Sequence, residues 1–317
     1  MSANAVRKLI GAGLLMAGAA GADQPAKITT LVSGTQHDAL FSIGMLGRIG
    51  VAVGGNGEIL ESADAGETWK AVVPAPTSMA LLSVSLQPGH AIVVGQSGLI
   101  LFMDATGKWT AGDAGTGKRL FGVSVNQGGV AAAVGAFGTI LRSTDGGGHW
   151  ASIAPRWDRF TPGGEDPHLY CVAVDDAGAI TVAGEFGLIL RSEDAGKSWR
   201  ALHKGDASIF AIEIRPDGTG YAVGQSGTVL RTSDKGVTWR ELRTDTGAIL
   251  LGVHSSGDRV LITGMHEMLA SRDGGSTWHR AGDEQINTTW VQAAAGTAES
   301  QSMLVVGAAG RILKVDD

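Results

Sequence analysis

Short apolar runs alternate with turn-forming residues along the chain. Residues 208–242 are representative and read SIFAIEIRPDGTGYAVGQSGTVLRTSDKGVTWREL. Pro216-Asp217-Gly218 separates the first two apolar runs, and Gln225-Ser226-Gly227 separates the next two. Runs of this length predict β-strands, at roughly 209–214, 220–224, 228–233 and 238–242. Because tight turns join them, the four strands are expected to form one antiparallel sheet.

The same unit recurs in degenerate copies, each marked by a core glycine. Successive core glycines are 41, 40, 49, 40, 40 and 43 residues apart, at Gly54, Gly95, Gly135, Gly184, Gly224, Gly264 and Gly307. One such sheet cannot bury both of its apolar faces, whereas seven sheets in a ring can. The sequence therefore predicts an all-β fold: a seven-bladed β-propeller of four-stranded antiparallel blades.

The two ends of the repeat region complement each other. The seventh copy stops after VGAAGRILKVDD and lacks a fourth strand, while an additional strand pattern, KITTLVSG at 27–34, precedes the first copy. We expect the N-terminal strand to complete the last blade and close the ring. The propeller is then one domain, residues 23–317.

The longest spacing between core glycines, 49 residues, contains an insertion at residues 154–167 with the sequence APRWDRFTPGGEDP. It should overhang the face that carries the turns between second and third strands. Trp157 and Phe160, flanked by charged residues, have the composition of an exposed interface anchor. The alternative is a loop packed on its own propeller, and the sequence leaves both open.

The first 22 residues have the pattern of a secretory signal peptide. Arg7 and Lys8 precede an apolar run from Leu9, which ends in the small residues Ala20-Gly21-Ala22. Its removal would change the formal charge from −6 to −8. We therefore expect an exported protein without a broad basic surface for nucleic acid. Cys171 is the only cysteine, so no internal disulfide can form.

A second signature, S/T-x-D-x-G-x-T/S-W, lies between the third and fourth strands. An aspartate can accept hydrogen bonds from its own turn, glycine permits a positive φ, and tryptophan can wedge between blades. These are roles in building the fold rather than in catalysis. The aspartates are Asp64, Asp104, Asp145, Asp194, Asp234 and Asp273.

This turn is the Asp-box, or bacterial neuraminidase repeat, shared by sialidases, sortilins and xyloglucanases. Seven copies, a lone propeller of this size and the G-x-I-L-R-S/T prefix in some of the copies together make the whole mature chain resemble the photosystem II assembly and stability factor family. That resemblance implies a non-enzymatic scaffold that docks on an unassembled membrane protein, in the periplasm or the thylakoid lumen. Relatives in non-photosynthetic bacteria are often found beside exporters of the resistance–nodulation–division type, which suggests another membrane partner.

The resemblance also implies that arginines on one surface bind the partner. The matching positions here are Arg142, Arg191 and Arg231, with Lys314 in the seventh copy. Copies one, two and six carry Glu61, Phe102 and Ala270 instead, which puts the family's particular partner in doubt. Unpaired arginines on consecutive blades would suit a carboxylate or phosphate. The alternative is pairing with local acids such as Glu193 or Asp234.

The alternative class is a carbohydrate-binding or glycoside-hydrolysing propeller. Its carboxylate pair would have to come from Glu165 or Asp166 with Glu185. A sialidase also needs a tyrosine–glutamate pair, and both tyrosines, Tyr170 and Tyr221, lie within strand patterns. The eight histidines lack ligand spacing, so no metal or other cofactor is expected. We expect no catalytic residues and no small-molecule substrate.

Overall fold

The computed structural model describes residues 26–104, 106–296 and 302–316; the proposed signal peptide, 1–22, lies outside them. The strands of the first half, in chain order, are β1 (Lys27–Val32), β2 (Leu40–Leu46), β3 (Ile49–Gly54), β4 (Ile59–Ser62), β5 (Lys70–Ala71), β6 (Leu81–Gln87), β7 (His90–Gly95), β8 (Ile100–Met103), β9 (Trp109–Ala111), β10 (Leu120–Val125), β11 (Ala131–Gly135), β12 (Ile140–Ser143) and β13 (Ala151–Ser152). Those of the second half are β14 (Leu169–Val174), β15 (Ile180–Gly184), β16 (Ile189–Ser192), β17 (Arg200–His203), β18 (Ile209–Ile214), β19 (Gly220–Gly224), β20 (Val229–Thr232), β21 (Arg240–Leu242), β22 (Leu250–Ser256), β23 (Arg259–Gly264), β24 (Met268–Ser271), β25 (His279–Arg280), β26 (Val291–Gly296), β27 (Met303–Gly307) and β28 (Ile312–Asp316). Single 3-10 turns cover Gly55–Gly57, Gln96–Gly98, Trp157–Arg159, Pro162–Gly164, Gln225–Gly227 and Ile286–Thr288.

These strands form seven four-stranded antiparallel sheets, so the predicted fold is confirmed. Six blades each contain four consecutive strands, starting with β2 to β5. The seventh has the order β1-β28-β27-β26, and Lys27 pairs with Asp316 at its outer edge. The N-terminal strand therefore closes the ring as expected, although it ends at Val32 rather than at residue 34.

The core of the protein lies between blades. The first strand of each blade packs against the first strands of both neighbours, and β2 packs against β26, which completes the circle. The second strands are almost entirely buried because a neighbouring blade covers each of their faces. Val51 and Val53 of the first blade, for example, share one cluster with Leu81 and Val84 of the second.

The aspartate turns join the third and fourth strands of the first six blades. In the first blade, Oδ1 of Asp64 accepts a hydrogen bond from the Thr68 backbone N–H at 2.9 Å, and Oδ2 accepts one from the Thr68 hydroxyl at 2.6 Å. The Ser62 hydroxyl donates to the same carboxylate at 2.9 Å and accepts the Gly66 N–H at 2.9 Å. The Trp69 indole packs on a cluster shared by the first and seventh blades, which confirms the predicted wedge.

The same hydrogen-bond pattern recurs in the turns of Asp194, Asp234 and Asp273. These bonds stabilise the ionised carboxylates and lower the pKa of Asp64, Asp194, Asp234 and Asp273 to about 2. The pKa of Asp145 is lowered further, chiefly by its hydrogen bond to His149. Asp104 uses different donors, Thr106, Lys108 and Thr110, and its pKa is also about 2. In each turn the acid is held by its own loop.

Candidate functional site

A ring of bulged residues surrounds one mouth of the central channel. The innermost strand of each blade (β2, β6, β10, β14, β18, β22 and β26) has a β-bulge at its second residue. This residue has no partner in the pairing with the next strand. A bulge bends its strand and re-aims the extra side chain. All seven extra side chains line one cavity of about 330 Å³, which we call the channel mouth: Phe41, Leu82, Phe121, Tyr170, Phe210, Leu251 and Gln292.

Aromatic rings are concentrated on one side of the channel mouth. The Tyr170 ring lies 5.0 Å from the Phe210 ring and 5.6 Å from the Phe121 ring, measured between centroids. His168 lies 6.0 Å from Phe121 and 5.0 Å from Phe137, both edge-on. These five residues, which we call the aromatic arc, come from the third to fifth blades and extend from the channel mouth outward to Phe137.

The lining of the channel mouth is electrically neutral. Small residues such as Ser42, Gly122 and Ala211 lie beneath the ring of bulged residues and leave the space open. No Asp, Glu, Lys, Arg or His is among the described residues that line the cavity. The cavity therefore suits an uncharged group, because a charged one would lose its hydration there without gaining a partner.

Glu185 is the acid nearest the aromatic arc. It accepts the His168 backbone N–H at 2.7 Å and interacts with the Tyr170 hydroxyl. Burial, followed by the charge of Glu185, raises the pKa of Tyr170 above its ordinary value of 10. The phenol is therefore kept protonated. The sequence placed Tyr170 within a strand, as observed, but did not reveal the bulge that places the residue at the channel mouth.

At the outer end of the aromatic arc, Phe137 is exposed in a strained backbone conformation. Its φ is +53° and 58% of its surface is accessible, although a bulky residue rarely adopts positive φ. The Lys118 ammonium donates to the Phe137 carbonyl at 3.1 Å and lies 5.9 Å from the ring centroid. Beside them, the Ala154–Pro155 end of the insertion helps to line a cleft of about 430 Å³.

The prediction of an exposed anchor at Trp157 and Phe160 is wrong. Trp157 is buried in the cluster between the third and fourth blades, with Phe160 packed against it at 6.5 Å between ring centroids. The loop is held further because Gly138 N–H donates to the Pro167 carbonyl at 2.7 Å. The two aromatic residues therefore fasten the insertion to the propeller, which is the alternative that the sequence left open.

Arg191 is buried and paired, which does not suit the predicted role in docking. Its guanidinium donates to Asp175 at 2.8 Å and to the Thr181 hydroxyl at 3.0 Å, with a longer contact to Glu193. Asp175 precedes the first turn of its blade, and the corresponding residues in the third and fifth blades are Asn126 and Arg215. Of the three copies, only the fourth has an acid at this position. The sequence therefore contained a signal that Arg191, unlike Arg142 and Arg231, has a partner within its own blade.

The remaining members of the predicted basic set have different surroundings. Arg142 and Arg231 are half-buried, and the Nε of each is buried without a hydrogen-bond partner. Lys314 forms an ion pair with Glu67 of the first blade at 2.6 Å, which raises the pKa of Lys314. The neutralised Arg191 lies on the blade between Arg142 and Arg231, so the three do not form a continuous row of open cations.

The described residues contain no group of three metal-ligating side chains and no helix long and apolar enough to cross a membrane. Cys171 is buried, and burial raises the pKa of its thiol well above its ordinary value.

The chain matches no protein-family model and no curated protein. Solved structures of similar fold include YCF48 bound to D1 peptide, with 18% identity, 92% of this chain and 96% of that chain covered, and a TM-score of 0.69. YCF48 from Cyanidioschyzon merolae matches with 21% identity, 90% and 98% coverage and a TM-score of 0.70. The GH74 xyloglucanase from Xanthomonas campestris matches with 16% identity, 90% and 53% coverage and a TM-score of 0.68. These similarities define the class of protein, a seven-bladed β-propeller.

Proposed function

We propose that this chain is a non-enzymatic scaffold that holds a segment of a membrane protein on the face of its propeller. The observation that carries the proposal is the aromatic channel mouth, because its described lining offers binding surface and contains no carboxylate or imidazole. Glu185, outside this lining, is an acid in contact with Tyr170. A propeller of the same fold, YCF48, has been solved with a bound D1 peptide, so this architecture can hold a segment of another protein. We further propose export, from the apolar run behind Arg7 and Lys8.

Cross-linking in the native membrane, followed by mass spectrometry of tagged protein, tests this function. We expect one membrane protein or complex to be enriched over an untagged strain and over an unrelated exported propeller with the same tag. A capture profile identical to that of the unrelated propeller would refute the scaffold proposal.

A carbohydrate-active propeller is the second candidate, and the contact between Tyr170 and Glu185 at the channel mouth favours it. The raised pKa of Tyr170 opposes a nucleophilic role for the phenol. Hydrolysis assays with sialosides, xyloglucan and β-glucans discriminate the two. Turnover by the native protein that Glu185→Gln abolishes would establish the enzyme, whereas the scaffold proposal predicts background rates for both.

A further inference from the structure

We propose that the channel mouth binds one apolar side chain of an extended partner segment, and that a carboxylate further along that segment pairs with Lys118 and Arg119. This deepens the proposed scaffold function and rests on it. The observations are the volume of the cavity, its neutrality, and the way in which the aromatic arc continues beyond it to Lys118, which is followed in the sequence by the exposed Arg119.

The shape of the cavity selects an anchor of limited size. Its volume of about 330 Å³ lies at the low end of the range for ligand pockets, roughly 300–1,000 Å³. The bulged side chains form the rim, while smaller side chains such as Ser83 and Cys171 leave space behind it. An aliphatic or aromatic side chain can therefore enter the space that these residues surround.

The polar atoms of the channel mouth can form hydrogen bonds with the peptide backbone of the partner segment beside its apolar anchor. Ser42 and Ser83 each accept a backbone N–H from the neighbouring blade, at 3.2 Å, and each keeps a hydroxyl hydrogen to donate. Gln292 adds an amide donor and acceptor at the rim. A peptide offers carbonyl and N–H partners for these groups, which a hydrocarbon ligand lacks.

The arc favours an elongated occupant over a compact one. A small molecule that fills the cavity would leave Phe137 bare, although this ring is exposed and linked to the channel mouth through His168. An extended segment that leaves the channel mouth along the arc would cover Phe137.

The positive charge near Phe137 indicates that the partner segment carries a carboxylate beyond its apolar anchor. Lys118 and Arg119 are both exposed, and neither forms an ion pair with a described residue. The Lys118 ammonium uses one of its three donors on the Phe137 carbonyl, and the Arg119 guanidinium makes no hydrogen bond within the described chain. Two adjacent cations with free donors are complementary to a carboxylate.

Selection from a displayed random-peptide library, with the immobilised full-length mature protein, provides the test. We expect the selected sequences to share an aliphatic or aromatic residue with Asp or Glu at a fixed spacing. Replacement of that apolar residue by glycine should weaken binding at least about tenfold, measured by fluorescence polarisation of the labelled peptide. Peptides without a common apolar position would overturn the proposal.

Variants of the protein locate the peptide. Combined Phe121→Ala, Tyr170→Ala and Phe210→Ala should reduce affinity at least about tenfold, whereas Phe186→Ala should not. Phe186 is a suitable control because it occupies the turn position of Phe137 in the next blade, with φ +60°, but makes no ring contact with the arc. Thermal unfolding of each variant verifies its fold. Equal losses in both variants would refute the site.

A double-mutant cycle tests the charge pairing. Binding should weaken when the protein carries Lys118→Met with Arg119→Met, and also when the acid of the peptide is changed by Asp→Asn or Glu→Gln. When both partners are changed, the loss of binding free energy should be smaller than the sum of the two separate losses. Additive effects would refute the pairing. The neutral fluorophore N-phenyl-1-naphthylamine tests for a free small molecule, and its tight binding with no selected peptides would overturn the assignment to a partner segment.

Capture experiments in the native membrane distinguish failure of the proposed peptide site from failure of the proposed scaffold function. If the wild type captures a membrane protein and the Phe121, Tyr170 and Phe210 variant captures it equally well, the anchor is wrong and the scaffold stands. If selected peptides bind the channel mouth but no membrane protein is captured, the scaffold function fails while the peptide site remains.

Discussion

Trp157 occupies the space that a side chain at Gly138 would need. A Cβ on Gly138 would lie 2.1 Å from Nε1 of Trp157, far inside van der Waals contact. Gly138 also has φ +66° and donates to the Pro167 carbonyl, so one glycine accommodates both ends of the insertion. The glycine therefore determines whether the loop can lie on the propeller.

Gly138→Ala should release the insertion. The added methyl displaces the Trp157 indole, and limited trypsin digestion should then cut faster after Arg156 and Arg159. Gly163→Ala is the control, because its φ is +65° but a Cβ added there would meet no other atom within 4 Å. Trp157→Ala, which empties a buried site, should lower the free energy of unfolding by about 3–5 kcal/mol. Equal digestion of both glycine variants would show that backbone strain alone is responsible.

Arg191→Met should destabilise the protein rather than affect docking. Removal of the buried guanidinium leaves Asp175 without its partner, at a cost of about 3 kcal/mol in the free energy of unfolding. Arg200→Met is the control, because Arg200 is directly opposite in the ladder but exposed, and its change should stay within about 0.5 kcal/mol. Denaturant unfolding measures both. A stable Arg191→Met protein that loses its partner would restore Arg191 to the docking surface.

Arg142 and Arg231 remain candidates for partner docking. Combined Arg142→Glu and Arg231→Glu should reduce capture of the membrane partner at least about tenfold if each contributes one charge-assisted contact. Lys197→Glu with Lys204→Glu changes the net charge equally at other exposed positions. Equal losses from the two pairs, in quantitative pull-downs, would indicate general electrostatics.

Acid should destabilise the propeller through its aspartate turns. The pKa of Asp64, Asp194, Asp234 and Asp273 is about 2 in the folded chain, against an ordinary value of 3.8. A lowered folded-state pKa stabilises the fold above pH 3.8, and this contribution is lost as the pH falls towards about 2. Melting temperature should therefore drop over that window. Replacing all four residues by asparagine should flatten the drop, whereas Asp206→Asn, at an exposed residue outside these turns, should leave it unchanged.

Deleting β1 should open the ring. Without residues 27–34, β28 becomes an unpaired edge, and Ile28 no longer covers the core of the last blade. Calorimetry should show a lower melting temperature, and gel filtration should show association through the free edge. A chain that lacks only residues 1–25 is the control. A stable monomer after the β1 deletion would contradict the closure.

The blades could be read from the sequence because their signals are local. The turn glycines and alternating runs specify strands within one repeat, and the step of 49 residues locates the insertion. The bulges gave no such signal, because Phe41 and Tyr170 look like ordinary members of apolar runs. The burial of Trp157 depends on Gly138 in a neighbouring hairpin, a relationship that arises from packing in the assembled propeller. The pairing of Arg191 with Asp175 differs, because comparison of that position across the copies could have indicated it.

The pairing of β1 with β28 also sets an order for folding. Lys27 is synthesised long before Asp316, its partner in the outer pair of the seventh blade. The seventh blade thus depends on contacts of very long sequence separation, which form slowly because chain entropy must be lost before they can stabilise anything. A nascent chain interrupted before Ile312 is an open arc with exposed strand edges, whatever the state of its first six blades. Synthesis of β28 is therefore the step that allows the chain to close its ring.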